Sequence, residues 1–230
     1  MRQPRNYLDI GALPQRLAIF PLARVLLLPG CQLPLNIFEP RYLAMIDDAL
    51  TLDRVVGMIQ PRSEQPQSKA PVGISGLDRP ALYGAGCLGR LSSFSETGDG
   101  RYHIILTGVC RFQVREELPV TTLYRQVVAD FTPYAGDLSS TDTGQIDRQA
   151  LLADLKNYLE QQKLSADWKA VESTPTEELI NMLAMNCPFE APEKQALLEA
   201  VNLQGRAETL MTLLQMAVAG TSPPQDTTLQ

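Results

Sequence analysis

The sequence is poor in the residues from which metal and redox sites are built. Its 230 residues include a single histidine, His103, and four cysteines that lie far apart without a C-x-x-C pair. Zinc sites and redox dithiols need closely spaced cysteine or histidine ligands, so the sequence indicates neither kind of site. We therefore expect no metal and no cofactor, and we interpret the cysteines as buried free thiols in a reducing cytoplasm.

Basic residues and long apolar runs are also scarce. The chain carries 20 Lys and Arg against 26 Asp and Glu, which gives a formal net charge of −6. Nucleic acids and acidic membranes are bound through clustered Lys and Arg, so this balance disfavours both kinds of partner. No stretch approaches the roughly 20 apolar residues needed to cross a bilayer. The N-terminus also lacks the apolar segment of a secretory signal, so we expect a cytoplasmic protein.

The sequence offers little that indicates catalysis. No stretch matches the phosphate-binding pattern G-x-x-x-x-G-K-[ST]. Ser68 and Lys69, the adjacent pair that a Ser-Lys peptidase would need on an ordered scaffold, lie in the most polar stretch of the chain. A lone histidine that alternates with apolar residues, as His103 does, is more often structural than a general base. We predict no catalytic residue, and a hydrolase that uses His103 or Cys110 stays an alternative.

What the sequence does contain falls into two halves. Apolar residues up to Pro133 come in short β-branched runs broken by Gly and Pro, which is typical of strands. Later apolar residues recur at helical spacing. We therefore predict a β-domain over residues 1–133, a linker over 134–148, a helical bundle over 149–220 and a disordered tail over 221–230.

Seven strands and one short helix are predicted in the first half. The turns at Pro29–Gly30 and Asp99–Gly100 use glycine, which accepts positive φ. Both faces of the run Tyr102–Thr107 are partly apolar, as expected in a small closed or nearly closed barrel. The polar segment Pro61–Leu82 is predicted to be a mobile loop. The strands are Leu17–Leu22, Cys31–Phe38, Arg54–Ile59, Gly86–Phe94, Arg101–Val109, Cys110–Val114 and Leu123–Phe131, and the helix is Pro40–Leu50 with Tyr42, Leu43, Ile46 and Leu50 on one face.

Four helices are predicted in the second half. Thr174–Glu177 forms a capping box with Pro at the first helical position. Asn202 is suited to cap the last helix. The apolar positions assigned to the helices are, in chain order, Leu151, Leu152, Leu155, Tyr158 and Leu159; Leu179, Ile180, Leu183 and Met185; Leu197, Leu198 and Val201; and Leu210, Leu213, Leu214 and Ala217.

Three parts of the sequence resemble the N-terminal domain family of Lon proteases. FPLARVLLLPGCQLPLNIFEPRY (Phe20–Tyr42) resembles the opening of that domain, and GCLGRL (Gly86–Leu91) and GVCRF (Gly108–Phe112) follow in the family's order. KQALLEAVNLQGRAETL (Lys194–Leu210) looks like the family's final helical pair. The resemblance implies an α+β fold, in which a PUA-like β-barrel with one short helix is followed by an α-helical bundle.

The resemblance also implies a role in recognising unfolded or damaged polypeptides. Because the sequence lacks the Lon ATPase and Ser-Lys peptidase motifs, we expect a stand-alone binding protein that is not an enzyme. It would act as an adaptor that delivers clients to an ATP-dependent protease, or as a holdase. The alternative is a module that binds small molecules or RNA, since PUA-like folds include RNA-binding members.

Candidate peptide-binding residues lie around the predicted corner between the second strand and the first helix. Exposed apolar patches and unpaired strand edges attract unfolded segments. Phe38 and Tyr42 would supply apolar surface there, with Arg41 and Arg90 as polar partners. The predicted loop Pro61–Leu82 is a candidate flap over this surface.

A structural role for the same residues is the competing interpretation. In that case Phe38 and Tyr42 fill the core, and Glu39 forms an ion pair with Arg41 or Arg111. The sequence leaves both interpretations open.

Overall fold

The computed structural model describes residues 9–62, 80–139 and 146–220. Most of the predicted loop Pro61–Leu82, including Ser68 and Lys69, lies outside these residues, as does the predicted tail. Within the described residues the elements are β1 (Arg16–Pro21), β2 (Gln32–Ile37), α1 (Pro40–Thr51), β3 (Val55–Pro61), β4 (Leu82–Glu96), β5 (Tyr102–Glu117), β6 (Gln126–Asp130), α2 (Arg148–Gln161), α3 (Trp168–Ser173), α4 (Thr176–Asn186), α5 (Ala191–Glu199) and α6 (Leu203–Gly220), with short 3₁₀ helices at Ile10–Ala12 and Thr132–Leu138.

The strands form one mixed sheet that closes on itself. Their order is β2-β5-β4-β3-β1-β6, and β6 pairs back with β5, so five strands form a ring and β2 extends it at β5. β1 and β3 run parallel, whereas the other pairs are antiparallel. The predicted α+β class is confirmed, and the ring of strands is compatible with the predicted barrel.

Ring closure depends on the length of β5. The sequence predicted two strands here, but the structure has a single 16-residue strand. β5 pairs with β4 along most of its length, with β2 near its start and with β6 near its end. Register shifts between Leu88 and Gly89 and between Val114 and Glu116 mark bulges, which bend a long strand and increase its twist. One bent strand therefore holds both ends of the sheet.

The ring interior is filled by apolar side chains around Phe112, which is fully buried. The ring of Phe112 packs edge-on against Phe131, with the centroids 6.1 Å apart. It also lies so close to Gly86 that a Cβ there would sit 2.5 Å from the Phe112 side chain and from the carbonyl oxygen of Met58. Buried residues that surround Phe112 are Leu13, Leu17, Ile19, Val55, Ile59, Leu88, Cys110, Val127 and Ala129.

The helices follow the predicted periodicity with three differences. The buried face of α1 consists of Tyr42, Met45, Ile46 and Ala49, so the assignment of Leu43 and Leu50 to that face was wrong. Helix α3 was not predicted, because a six-residue helix is too short to show a period. Val201 was assigned to a helix interior but is 90% exposed, since α5 ends at Glu199.

One prediction about a helix end and one about turns are confirmed. The side-chain oxygen of Asn202 accepts a hydrogen bond of 2.8 Å from the backbone N–H of Gly205, which caps α6 as predicted. The predicted glycine turns are also present, since Gly30 and Gly100 both have positive φ. Among the described residues, no helix combines the length and apolar character needed to span a membrane.

The chain divides into two compact units. The first comprises Met1–Thr141 and Met185–Glu199, and the second comprises Asp142–Ala184 and Ala200–Gln230. Helix α5 therefore belongs to the unit that contains the strands. The sequence boundaries proposed above, with a linker over 134–148, stay a prediction.

Within the first unit, buried amides attach α5 to the strands. Gln60 donates to the carbonyl oxygen of Ala191 at 3.2 Å and to the side-chain oxygen of Gln195 at 3.1 Å. Gln195 in turn donates to the carbonyl oxygen of Ala85 at 3.1 Å. Buried amides of this kind stabilise a structure only when they are hydrogen-bonded, so these bonds specify where α5 packs.

Replacing Gly108 by Ala should destabilise the first unit. The added Cβ would lie 2.0 Å from the carbonyl oxygen of Leu28, so the backbone would have to shift. Overpacking of this kind costs roughly 1–3 kcal/mol, and we expect urea denaturation to show a fall of that size in the free energy of unfolding. Gly98→Ala is the control, since no described atom lies within 4 Å of its added Cβ. An equal loss in both variants would contradict the close approach at Gly108.

Candidate functional site

The β2–α1 corner, defined as Phe38–Tyr42, exposes an aromatic side chain directly after the edge strand. Phe38 is 61% exposed. Pro40 begins α1, which suits a residue without a backbone N–H. Glu39 precedes the helix without capping it and instead forms an ion pair of 2.7 Å with Arg41. Of the two predicted partners for Glu39, the structure has Arg41.

The second aromatic residue of the corner lies in the core. Tyr42 is 6% exposed, and its ring packs on Phe20 with the centroids 4.2 Å apart. The guanidinium of Arg41 lies 4.6 Å from the Tyr42 ring centroid. Burial raises the pKa of Tyr42, so its phenol stays protonated at neutral pH. Phe38 thus presents apolar surface, while Tyr42 and Arg41 support the corner beneath it.

Two further aromatic residues lie at the same end of the neighbouring strands. Tyr102 on β5 pairs with Ile37, the residue before Phe38. The ring of Phe94 on β4 packs edge-on against Tyr102 with the centroids 4.9 Å apart, and Phe94 is 40% exposed. The Tyr102 hydroxyl donates to Asp47 on α1 at 2.9 Å. Three adjacent strands therefore carry aromatic residues at one end of the sheet.

Strand β2 is an edge that pairs with β5 alone among the described residues. Its other side therefore presents backbone donors and acceptors to which an extended chain could hydrogen-bond as an added strand. Pro34 lies in the middle of β2 and has no N–H, and proline within a sheet is accommodated at an edge.

Arg90 does not belong to the corner. It lies in the middle of β4, where it pairs with Val55 and Thr107. Thr107 pairs in turn with Gln32, at the opposite end of β2 from Ile37. At roughly 3.3 Å per residue, that level of the sheet is about 17 Å from the corner. The structure therefore brings Phe38, Arg41 and Tyr42 together and leaves Arg90 apart.

The two residues of the hydrolase alternative are also far apart. His103 is exposed near the start of β5, between Asn36 and Ser95, whereas Cys110 is fully buried on the same strand. Seven residues of an extended strand span about 23 Å. Burial raises the pKa of Cys110 to about 12, so its thiol stays protonated at neutral pH. This arrangement does not support a Cys-His dyad.

A buried arginine organises the interior next to Cys110. Arg111 is 4% exposed and makes a bidentate ion pair with Asp137, with distances of 2.8 and 2.9 Å. It also donates to the carbonyl oxygen of Leu198 at 2.8 Å, and its guanidinium lies 4.5 Å from the ring centroid of Tyr134. Burial opposes charge on Arg111, but the bonds to Asp137 outweigh it and raise the pKa of Arg111.

Arg111 thus pairs with Asp137, and of the two partners suggested for Glu39 the structure has Arg41. Asp137 lies in a segment rich in Gly, Asp and Ser, which predicted a linker, so the sequence had no signal for a buried carboxylate there. Among the described residues, no three or more His, Cys, Asp or Glu side chains lie close enough together to hold a metal ion.

Comparison with known proteins identifies the family. The family model described as ATP-dependent protease La (LON) substrate-binding domain matches residues 16–216. The chain belongs to this family. It is 27% identical over 221 residues to Lon protease 2 of Myxococcus xanthus and 26% identical over 212 residues to the Lon protease of Anaeromyxobacter dehalogenans. These alignments cover 92% and 88% of this chain but 25% and 23% of the relatives, so the chain spans about a quarter of their length.

Solved structures of Lon N-terminal domains share the fold. The Lon N-terminal domain protein from Xanthomonas campestris has a TM-score of 0.57 and 20% identity, covering 86% of this chain and 97% of that one. The N-terminal domain of the Mycobacterium avium complex Lon protease has a TM-score of 0.54 and 12% identity, covering 87% and 98%. The resemblance inferred from the sequence motifs is confirmed, and the matched Lon domain is a non-catalytic, substrate-binding one.

The buried thiols of this Lon-family domain should resist alkylation. Burial raises the pKa of Cys110 to about 12 and that of Cys87 well above its usual range, and the thiolate is the reactive form. We expect iodoacetamide at about pH 8 to modify half-buried Cys31 first, as followed by mass spectrometry. In urea all four cysteines should react. Rapid modification of Cys110 in the folded protein would contradict its burial and favour the hydrolase alternative.

Asp137→Ala should strongly destabilise the domain. Removing one partner of a buried ion pair leaves the other charge uncompensated, at a cost of about 3–5 kcal/mol. Arg115→Gln is the control because Arg115, which pairs with Asp130, is 65% exposed. Loss of an exposed pair costs less than about 1 kcal/mol. If denaturant unfolding shows similar losses for both variants, the Arg111–Asp137 pair does not have the importance inferred for it.

Proposed function

We propose that this chain binds unfolded polypeptides as the substrate-recognition part of Lon-type proteolysis. The observation that carries the proposal is the family match over residues 16–216, combined with exposed Phe38 at the end of an edge strand. Folded proteins bury their large apolar side chains and pair their backbone groups, whereas unfolded chains expose both. A surface that offers apolar area next to unpaired backbone groups therefore favours unfolded clients.

The β2–α1 corner is the surface that we assign to this role. Phe38 and Phe94 offer apolar contact, and their neighbours Arg41 and Tyr102 add polar groups that can bond a main chain. The missing N–H of Pro34 limits strand addition to part of the edge. Binding that uses few side-chain pockets would be weak and tolerant of sequence, which suits a receptor for many clients. Arg90 is not included in this proposal.

RNA binding and hydrolysis are both less well supported. The formal net charge of −6 works against phosphate contacts. His103 and Cys110 lie far apart on β5, and Cys110 is buried. Widely spaced free thiols fit a reducing compartment, and we propose the cytoplasm as the site of action.

Phe38→Ser should weaken binding of a permanently unfolded client. We expect the Kd for a reduced, carboxymethylated protein, measured by fluorescence anisotropy, to rise roughly tenfold, as for loss of an aromatic anchor. Because Phe38 is 61% exposed, thermal stability should change little.

Leu52→Ser is the matched control for this experiment. Leu52 is 66% exposed and follows the opposite end of the 12-residue helix α1. That helix is about 18 Å long, so Leu52 lies outside the corner. Equal weakening by both substitutions would contradict the corner as the binding surface. Failure of the wild type to bind any unfolded client would contradict the proposed function itself.

The adaptor and holdase roles differ in what happens to the client. An adaptor should increase the rate at which a Lon protease degrades the client, measured by release of labelled peptides. A holdase should slow aggregation of a thermally denatured client, measured by light scattering, with no protease present. Phe38→Ser should weaken either effect, because both depend on the same binding step.

A further inference from the structure

A polar cleft in the first unit lies at the opposite end of β4 from Phe94. Its volume is about 720 Å³. The residues around it come from five separate stretches of the chain and include one cation, one carboxylate, two phenols and one carboxamide. They are Arg62, Tyr83, Gly84, Gln113, Tyr134 and Glu199.

One wall of the cleft is an arginine held over a tyrosine. Arg62 follows the end of β3, and its Nε donates to the carbonyl oxygen of Leu82 at 2.9 Å. Its guanidinium lies 5.8 Å from the ring centroid of Tyr83. The terminal nitrogens of Arg62 make no other hydrogen bond within the described ranges, and its side chain is exposed. An immobilised guanidinium with free donors is suited to bind a carboxylate.

A tyrosine that contacts the buried arginine also lines the cleft. Tyr134 has Arg111 at 4.5 Å from its ring centroid, and Glu199 lies nearby at the end of α5. Burial is the main cause that raises the pKa of Tyr134. The positive charge of Arg111 lowers this pKa, and the negative charge of Glu199 raises it further. The phenol therefore keeps its proton and can donate. Glu199 accepts a hydrogen bond of 2.7 Å from Gln195, which fixes its carboxylate.

A glycine makes room for the amide at the floor of the cleft. A Cβ on Gly84 would lie 2.6 Å from the side-chain nitrogen of Gln113. Within the part of the chain that the structure describes, the hydroxyls of Tyr83 and Tyr134 and the carboxamide of Gln113 have no hydrogen-bond partner, and no fully buried side-chain polar atom lacks one. The free donors and acceptors of the cleft therefore face solvent.

We propose that this cleft binds the C-terminal end of a polypeptide through its free α-carboxylate. Arg62 and the tyrosine hydroxyls would donate to the carboxylate, while Glu199 would accept the N–H of the terminal residue. Gln113 can both donate to and accept from the preceding peptide group. This inference rests on the proposed function, because it specifies which part of a client is recognised.

The mixed charge of the cleft favours a chain terminus over other anions. A phosphodiester group has no N–H or O–H to donate to Glu199, and one guanidinium does not provide the clustered cations that nucleic acid requires. Except at a terminal proline, the residue that carries the α-carboxylate also carries a backbone N–H, so acceptor and donor arrive together. Capture of a terminal carboxylate by convergent donors is a known form of peptide recognition.

The test compares two labelled peptides of one uncharged sequence, one with a free C-terminal carboxylate and one with a C-terminal amide. Fluorescence anisotropy should give a Kd roughly tenfold lower for the free acid with the wild-type chain, as for one charge-assisted contact. Arg62→Gln should remove the preference, because it should weaken binding of the free-acid peptide and leave binding of the amide peptide unchanged. Tyr134→Phe, which loses only a hydroxyl, should reduce the preference. Arg115→Gln, at an exposed arginine on β5, should leave it unchanged.

Several results would overturn the inference. Equal affinity of the two peptides for the wild type, or no binding of the free acid, would do so. An equal effect of Arg62→Gln and Arg115→Gln would indicate general charge attraction, which also overturns it. Binding of the unfolded client from the previous experiment is measured in parallel. If the client binds but the acid and amide peptides do not differ, the cleft proposal fails while the proposed function stands.

If no unfolded client binds, the proposed function fails. An acid preference that depends on Arg62 would in that case still support the cleft as a carboxylate site. Circular dichroism of each variant checks that the fold is intact. Arg62 and Tyr134 donate no buried side-chain hydrogen bond among the described residues, so their variants should fold.

Discussion

The buried guanidinium of Arg111 is the constraint on which the first unit depends. A charge this deeply buried is tolerated only when its hydrogen-bond donors have partners. The donors of Arg111 are bonded by Asp137 and by the carbonyl oxygen of Leu198, and its guanidinium also lies against the ring of Tyr134. These partners belong to the 3₁₀ segment after β6 and to α5. One side chain on β5 therefore fixes the position of two segments that are distant from it in sequence.

The same constraint also positions residues of the polar cleft. By holding Tyr134 and the end of α5, Arg111 sets the wall of the polar cleft and the place of Glu199. The apolar β2–α1 corner depends on a different feature, the edge position of β2 on the ring. The two surfaces lie at opposite ends of β4. Their chemistry differs, since one offers aromatic surface and the other offers a cation and a carboxylate.

Much of the fold could be predicted because strand and helix periodicity are local properties. Arg54–Ile59 was predicted as a strand, and all of it except Arg54 lies in β3. Asn202 was predicted to cap α6 and does so. The division of β5 into two strands failed, because a bend made by bulges looks in sequence like a break. The face of α1 was misassigned because Met45 and Ala49 are less distinctive apolar residues than Leu43 and Leu50, and only packing decides between them.

The sequence by itself determined the family and the positions of most strands and helices, because these depend on contiguous motifs and on spacing along one element. The exposure of Phe38 was decided by the tertiary structure. Only the tertiary structure decided that Tyr42 is buried, that Arg90 is remote from the corner, and that Arg62, Gln113 and Glu199 share a cleft. Those three residues are far apart along the chain. Closure of the strand ring and the return of α5 to it bring them together, and neither long-range contact leaves a periodic signal in the sequence.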